Sequence, residues 1–196
     1  MIKVILFYIG GVLVDQKRLV EKFIGIFKPK NTLEFLNHLN LEVTPLCKNL
    51  MTEKQFWVKF SKKYKVQAQQ NLWTKDFEKL TKINHKVLNI AKGFKPRYKI
   101  GIISNTISPH VEINKKRGLF DIFDSVVLSC EANLAKDSKK IFLLAAKKLK
   151  VRTQECVFID DVNNFVEIAK SAGMKGILFK NPVQLNKELK RMLRNK

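Results

Sequence analysis

The adjacent carboxylates Asp160 and Asp161 are the feature of this sequence that most directly suggests chemistry. They follow an apolar run at residues 156–159, which is typical of a buried strand. Two carboxylates at the end of such a strand repel each other unless a cation or a basic residue offsets their charge. Magnesium and calcium prefer oxygen ligands of this kind. The pair therefore predicts either a metal site or a partner lysine, for which Lys136 is the candidate.

Ser104 and Asn105 form a second polar pair at the end of an apolar run. Polar side chains at the carboxyl end of a buried strand are candidates for a functional site. Each residue also has a simpler interpretation. Ser104 and Asn105 could merely end a strand, and Lys136 is one of 38 Lys and Arg residues. Taken singly, these residues do not establish a site.

Short apolar runs rich in Val and Ile predict buried parallel strands at residues 4–9, 99–104, 125–129, 156–159 and 176–179. Helical periodicity lies between them at residues 138–150 and 162–173, and a basic closing helix is predicted at 185–196. Strands that alternate with helices predict an α/β fold, a doubly wound parallel sheet with its site at the carboxyl ends of the strands.

Residues 15–94 have helical periodicity and no convincing strand. Thr52 and Gln55 form a capping-box pattern, which predicts a helix that starts there. Aromatic residues follow on one face of that helix, and we interpret them as helix packing rather than as a ligand site. The pattern predicts a helical insertion after the first strand, with the chain returning to the sheet near Tyr98.

Composition limits the class of protein. With 196 residues and 45% hydrophobic content, the chain can form one sizeable core and a smaller appended unit. No segment is long and apolar enough to cross a bilayer, so we expect a cytoplasmic protein without membrane contact. The formal charge of +21 would attract polyanions, including nucleic acid. The alternative is a solvated basic surface, because the lysines are spread through every helical segment.

Four segments, in this order, resemble the signatures of the haloacid dehalogenase-like (HAD) superfamily. They are LFYIGGVLVD (6–15), IGIISNT (100–106), LAKDS (134–138) and VFIDD (157–161). Each is weak alone, but together they cover nearly the whole chain. The resemblance implies a Rossmann-like core of residues 1–14 and 94–196 with a small helical cap at 15–93. It also implies a phosphatase-type hydrolase that acts on a small phosphorylated molecule.

The resemblance assigns roles to the phosphate-binding residues. Ser104 and the backbone around Asn105 would hold phosphate oxygens, and Lys136 would neutralise the transferring group.

The same resemblance implies a magnesium site. Asp161 would bind Mg²⁺, Asp160 would support it, and the backbone carbonyl of Gly10 would be a further ligand.

The sequence departs from the family at the nucleophile. The family uses an aspartate where this chain has Tyr8, and that aspartate attacks phosphorus and also binds the metal. A phenol has a reference pKa of about 10 and is mostly neutral near pH 7. Gly10 stands where many members keep an acid, and Phe165 replaces a residue that is usually polar. Asp15 lies past the strand and would need a different loop path to substitute.

These departures lead to three hypotheses about function. The first is a pseudoenzyme: an HAD relative that is severely impaired or inactive but retains weak Mg²⁺ and phosphate binding, in a pocket that is more positive than in active relatives. The second is an active phosphomonoester hydrolase with a non-standard nucleophile. The third is a polyanion-binding or nucleic-acid-binding module that uses the basic surface.

Overall fold

Five parallel strands form the centre of the computed structural model, which describes residues 1–67 and 70–194. The strands of the chain are β1 (Val4–Phe7), β2 (Val14–Asp15), β3 (Lys82–Ile83), β4 (Lys99–Ser104), β5 (Ser125–Leu128), β6 (Cys156–Asp160) and β7 (Lys175–Leu178). The sheet has the order β5-β4-β1-β6-β7, and every neighbouring pair is parallel. The predicted α/β, Rossmann-like fold class is confirmed.

Helices cover both faces of the sheet. They are α1 (Lys17–Phe27), α2 (Thr32–Glu42), α3 (Thr44–Cys47), α4 (Glu53–Lys63), α5 (Leu72–Leu80), α6 (His85–Phe94), α7 (Ser108–Lys116), α8 (Ser129–Ala132), α9 (Lys140–Leu149), α10 (Asn163–Ser171) and α11 (Pro182–Arg194). Successive side chains of β1 point to opposite faces. Val4 and Leu6 pack with α9 and α10, and Ile5 and Phe7 belong to the larger core that includes α6 and α11.

The predicted elements occur where the patterns placed them, with small shifts at their ends. β1 stops at Phe7, two residues earlier than predicted, because the chain turns through Gly11, whose φ of +74° suits glycine. The closing helix starts at Pro182, three residues earlier than predicted. Residues 195–196 of that prediction lie outside the described residues. Within the described ranges, no helix combines the length and apolarity needed to span a bilayer.

Aromatic packing organises helices α1 to α5. Phe27 of α1 lies at the centre of the cluster, with ring centroids 5.4–5.8 Å from four other rings, those of Phe35, Trp57, Phe60 and Tyr64. The capping box at Thr52 is confirmed, because Thr52 and Gln55 exchange side-chain and backbone hydrogen bonds. The aromatic stripe of α4 therefore serves helix packing, as the sequence indicated.

A short ladder corrects the prediction that residues 15–94 contain no strand. β2 and β3 pair antiparallel, with Val14 opposite Ile83 and Asp15 opposite Lys82. The backbone N–H of Asn84 also donates to the carbonyl of Leu13 at 2.8 Å. Two residues are too few to show the alternation that identifies a strand in sequence. The ladder brings the two ends of the helical segment together where it leaves and rejoins the sheet.

Helix α6 lies at the predicted boundary between cap and core. It ends at Phe94 and packs against α11 of the core. Thus the last helix before residue 94 contacts the core directly, whereas α1 packs on α5 within the helical segment. The division into a core of 1–14 and 94–196 and a cap of 15–93 stays a prediction.

We predict that Phe27→Ala lowers the free energy of unfolding by about 3–5 kcal/mol, because it empties the centre of the aromatic cluster. Phe27 is 4% exposed. The matched control is Leu41→Ala in α2, where the side chain is 62% exposed and the loss should stay under about 0.5 kcal/mol. Urea denaturation measures both. Equal losses for the two variants would contradict the role given to Phe27.

Candidate functional site

Three polar side chains meet at the carboxyl edge of the sheet. Tyr8 follows β1, Ser104 ends β4 and Asp160 ends β6. Strand β1 lies between β4 and β6, so the residues that follow these strands are neighbours. The backbone N–H of Tyr8 still donates to the carbonyl of Ile159 at 3.0 Å, which keeps Tyr8 aligned with β6.

Lys136 lies at the centre of this edge, and its side chain is fully buried. Its ammonium group donates a hydrogen bond to the carboxylate of Asp160, which is buried to the same degree. The ring of Tyr8 covers the ammonium group, with 3.1 Å from Nζ to the ring centroid. The ring of Phe165 lies 4.3 Å from the same atom. One carboxylate and two aromatic faces therefore shield the charge of Lys136 from solvent.

Burial disfavours the charges of both Lys136 and Asp160, and each charge is stabilised by the other. Burial lowers the pKa of Lys136 and raises the pKa of Asp160, while the attraction between the two groups opposes both shifts. The direct hydrogen bond favours the charged forms of Lys136 and Asp160, and the aromatic faces favour the charged form of Lys136. The two side chains therefore form an ion pair. The sequence offered a metal or Lys136 as the partner of the carboxylates, and the structure pairs Lys136 with Asp160.

The two adjacent carboxylates lie in different surroundings. Besides Lys136, Asp160 accepts a hydrogen bond from the backbone N–H of Val162 at 2.9 Å. Asp161 is exposed and its carboxylate lies so close to Gly11 that a Cβ there would overlap it. The surrounding protein and the nearby charge of Asp160 raise the pKa of Asp161 to about 7. Asp161 is therefore only partly ionised at neutral pH.

Asn105 connects the second and third loops. Its Oδ1 accepts a hydrogen bond from the backbone N–H of Lys136 at 2.9 Å. Ser104 is fully buried, and its Oγ donates to the carbonyl of Asn105 at 3.2 Å. The structure thus brings Ser104, Asn105, Lys136, Asp160 and Tyr8 together at one edge. Asp160 and two rings enclose the lysine, and the expectation of a pocket more positive than in active relatives stays a prediction.

The donors at this edge fit a magnesium ion only in part. Asp160 already accepts hydrogen bonds from two groups, which leaves Asp161 and the carbonyl of Gly10 as the ligands that would hold the ion. The raised pKa of Asp161 shows that its ionised form is disfavoured here, and a bound cation would favour that form. Across residues 1–67 and 70–194, however, no three His, Cys, Asp or Glu side chains are grouped to hold a metal. Tyr8 supplies a phenol to this edge, which is a weaker magnesium ligand than a carboxylate.

Potential nucleophiles near the site are protonated at neutral pH. Burial, with the charges of Asp161 and Asp160, raises the pKa of the Tyr8 phenol well above its ordinary value. Burial likewise raises the pKa of the Cys47 thiol to about 12. Neutral phenol and thiol groups are poor nucleophiles toward phosphorus because the reactive form is the anion.

A cavity of about 70 Å³ adjoins Tyr8 and contains residues that the sequence did not identify. Trp73 and Phe77 of α5 line it together with His110 and Asn114 of α7. His110 and Asn114 are four residues apart, so they share one face of that helix. That spacing was the one available signal, and it is also common in helices that merely pack. Finding these residues required the contact between α5 and α7.

A family model described as hydrolase, haloacid dehalogenase-like hydrolase, matches residues 2–173. The chain therefore belongs to the haloacid dehalogenase-like hydrolase family, as the four segments indicated. It is 36% identical over 100 residues to "Putative phosphatase YhcW" of Bacillus subtilis (strain 168), a match that covers 49% of this chain and 43% of that protein. A second match, 34% identical over 71 residues, is to acyl-CoA dehydrogenase family member 10 of Mus musculus; it covers 36% of this chain and 7% of that protein.

Solved structures share the fold over nearly the whole chain. The HAD family enzyme bt-2542 from Bacteroides thetaiotaomicron, in complex with magnesium and inorganic phosphate, has a TM-score of 0.66 and 23% identity; the match covers 92% of this chain and 95% of that one. A predicted HAD-like family hydrolase from Porphyromonas gingivalis has a TM-score of 0.72 and 21% identity over the full length of both chains. At these identities the likeness concerns the fold.

We predict that Lys136→Met lowers the free energy of unfolding by about 3–5 kcal/mol, because it leaves the buried carboxylate of Asp160 without its partner. Lys48→Met is the matched control. Lys48 pairs with Asp137 in a partly exposed position, and its loss should cost less than about 1 kcal/mol. Urea denaturation at neutral pH compares the two. A loss at Lys136 no larger than at Lys48 would show that the buried pair is not a structural requirement.

A second prediction concerns His110, which is 5% exposed and stacks on Phe77 at 3.6 Å between ring centroids. Burial lowers its pKa to about 3. The unfolded chain binds a proton at His110 below about pH 6.5 and the folded chain does not, so stability falls as the pH falls from about 6.5 toward 3. Between pH 7 and pH 5 this contributes a loss of about 2 kcal/mol.

His110→Gln should remove that contribution from the pH dependence. The measurement is the free energy of unfolding of both proteins at pH 7 and pH 5, since the difference between the two slopes isolates His110. Identical slopes would mean that His110 is protonated equally in the folded and unfolded states.

Proposed function

We propose that this chain is a phosphatase-type HAD protein that is severely impaired or inactive as a hydrolase and that binds magnesium and a small phosphorylated molecule weakly. The observation that carries the proposal is the ring of Tyr8 lying 3.1 Å from the ammonium group of Lys136. The nucleophile position thus holds a group that covers the lysine instead of attacking phosphorus. We also propose that residues 15–93 act as a cap over the site and that the protein works in the cytoplasm.

The chemical argument concerns the missing carboxylate. The family reaction needs an anionic oxygen at position 8, and the pKa of the Tyr8 phenol is raised well above its ordinary value. In a well-studied hydrolase, removal of the nucleophile lowered turnover on the order of a million-fold. Gly10 also offers no acid to protonate a leaving group. Positioning and phosphate contacts at Ser104 and Asn105 do not compensate for a loss of that size.

Weak phosphate binding follows from the surroundings of Lys136. A phosphate dianion would have to reach an ammonium group that already contacts Asp160, Tyr8 and Phe165. Movement of the Tyr8 ring would expose that charge, at the loss of a cation–π contact. Ser104 and Asn105 line the adjoining cavity. The side-chain amide of Asn105 can donate there, whereas the Ser104 hydroxyl donates to the carbonyl of Asn105. The small phosphorylated ligand is inferred from relatives, among them the bt-2542 complex with magnesium and phosphate.

An active hydrolase with a non-standard nucleophile is the alternative within the enzyme class. The raised pKa values of Tyr8 and Cys47 argue against it, because neither group is anionic at neutral pH. Asp15 lines a neighbouring pocket, but its Oδ1 accepts a hydrogen bond from the backbone N–H of Lys17 at the start of α1. We therefore favour the inactive form.

A basic surface for polyanions is a second candidate function, favoured by the formal charge of +21. Such binding would weaken steeply as salt increases, because counterions are released on contact with a polyanion. It would also be unaffected by Ser104→Ala or Asp161→Asn. Binding of a single-stranded oligonucleotide at 50 and 200 mM salt, in all three proteins, separates a surface effect from binding at the site.

The central prediction is that Tyr8→Asp creates or greatly raises phosphatase activity. A restored nucleophile can raise turnover by on the order of a million-fold. General acid catalysis, which contributes up to about 10⁴-fold, would still be absent because Gly10 has no acidic side chain. We therefore expect activity to rise by at least roughly a hundredfold. The measurement is release of inorganic phosphate from a panel of small phosphorylated molecules with Mg²⁺ present.

Tyr8→Asn is the matched control, because it has nearly the shape of aspartate and no carboxylate. It should stay at the background rate. Phosphate release by the unmodified protein at ordinary enzyme rates, combined with loss of that activity in Tyr8→Asp, would refute the proposal and favour a site organised around Tyr8.

A further inference from the structure

The cavity next to Tyr8 adjoins the phosphate-binding edge but lies outside the charged side chains of that edge. Its volume of about 70 Å³ exceeds the roughly 10–15 Å³ that one water molecule needs, so it has room for several waters or a ligand of similar size. It lies between α5, α7 and the loop that follows β4. Neither Lys136 nor Asp161 lines it. Ser104 and Asn105, which are proposed to bind phosphate, and Gly10, whose carbonyl is proposed to bind metal, do contribute to the lining, so a ligand bound here would adjoin that site without contacting its charged side chains.

The cavity is uncharged, although the chain carries a formal charge of +21. Among the described residues that line it there is no Asp, Glu, Lys or Arg. His110, the one side chain of the lining that usually titrates near pH 6.5, stays neutral because burial lowers its pKa to about 3. An ionic ligand would find no countercharge in this space, so the lining favours a neutral one.

Asn114 supplies an observation that points to a ligand. Its side chain is 1% exposed and lines the cavity. Neither its Nδ2 nor its Oδ1 has a hydrogen-bond partner within the described part of the chain. Buried amides almost always pair, because leaving both groups unpaired is unfavourable. The amide of Asn114 offers N–H donors beside a carbonyl acceptor, which is the arrangement that another amide complements.

The aromatic rings that line the cavity restrict the shape of a ligand that could bind there. The ring of Phe77 stacks on His110, and Trp73 lies across the same space, with its ring centroid 6.0 Å from that of His110. Aromatic faces pack well against planar groups. We propose that this cavity binds a small, uncharged, planar ligand that presents an amide-type donor and acceptor to Asn114. Such a group is found in a pyrimidinedione ring or a small carboxamide. The assignment goes beyond the proposed function because it requires no phosphate.

The experiment is a nuclear magnetic resonance titration of the full chain with three probes: uracil, acetamide and acetate. Uracil has the amide edge and a planar ring, acetamide has the amide alone, and acetate matches acetamide in size but carries a charge. We expect saturable shifts of the Asn114 side-chain amide and the Trp73 indole N–H with uracil and acetamide. Acetate should bind at least about tenfold more weakly than acetamide, as a charge without a partner is disfavoured here.

Asn114→Leu should weaken uracil binding at least about tenfold, because two hydrogen bonds are lost. Asn89→Leu on α6, where the side chain is exposed, is the same substitution away from the cavity and should leave binding unchanged. Asn114→Ala serves as a second variant if leucine disturbs the fold.

The proposal is overturned if neither neutral probe gives a saturable shift, if acetate binds as well as acetamide, or if the Asn114 variants bind uracil normally. Each of these outcomes leaves the Tyr8→Asp test of the proposed function intact, since no hydrolysis is measured here.

Discussion

A lysine ammonium group that is fully buried must be matched by nearby negative or π-electron density, and Lys136 imposes this constraint on the whole carboxyl edge of the sheet. Asp160 supplies the opposite charge and Tyr8 supplies a ring face at 3.1 Å. These two residues follow or end neighbouring strands, so the ion pair and the ring contact depend on the order of the parallel sheet. The fold thus places the lysine, and the lysine determines what the edge can bind.

Two aromatic residues form one structural unit with the buried lysine. Tyr8 and Phe165 are far apart in sequence, yet both rings face the ammonium group of Lys136. At this edge, aromatic rings cover the charge of the lysine. Asp161 then remains as the exposed carboxylate, with its pKa raised to about 7.

The sequence predicted the sheet well because its strands are continuous apolar runs followed by polar residues, as at β6 and Asp160. It predicted that Ser104, Lys136 and the two aspartates lie at one edge. It could not predict that Lys136 is enclosed, since enclosure depends on side-chain directions of Tyr8 and Phe165. It also missed β2 and β3, which are too short for a pattern. It missed the cavity at Asn114 as well, because the lining comes from α5, α7 and several other parts of the chain that only the fold brings together.

The most direct test of this account is the affinity for inorganic phosphate, measured by phosphorus nuclear magnetic resonance with Mg²⁺ present, in the unmodified protein and in Tyr8→Ala. If the Tyr8 ring covers Lys136, its removal exposes the ammonium group, and phosphate should bind at least roughly tenfold more tightly, a change of about 1.4 kcal/mol. Equal or weaker binding in Tyr8→Ala would contradict the account, because the ring would then not be what keeps phosphate from the lysine.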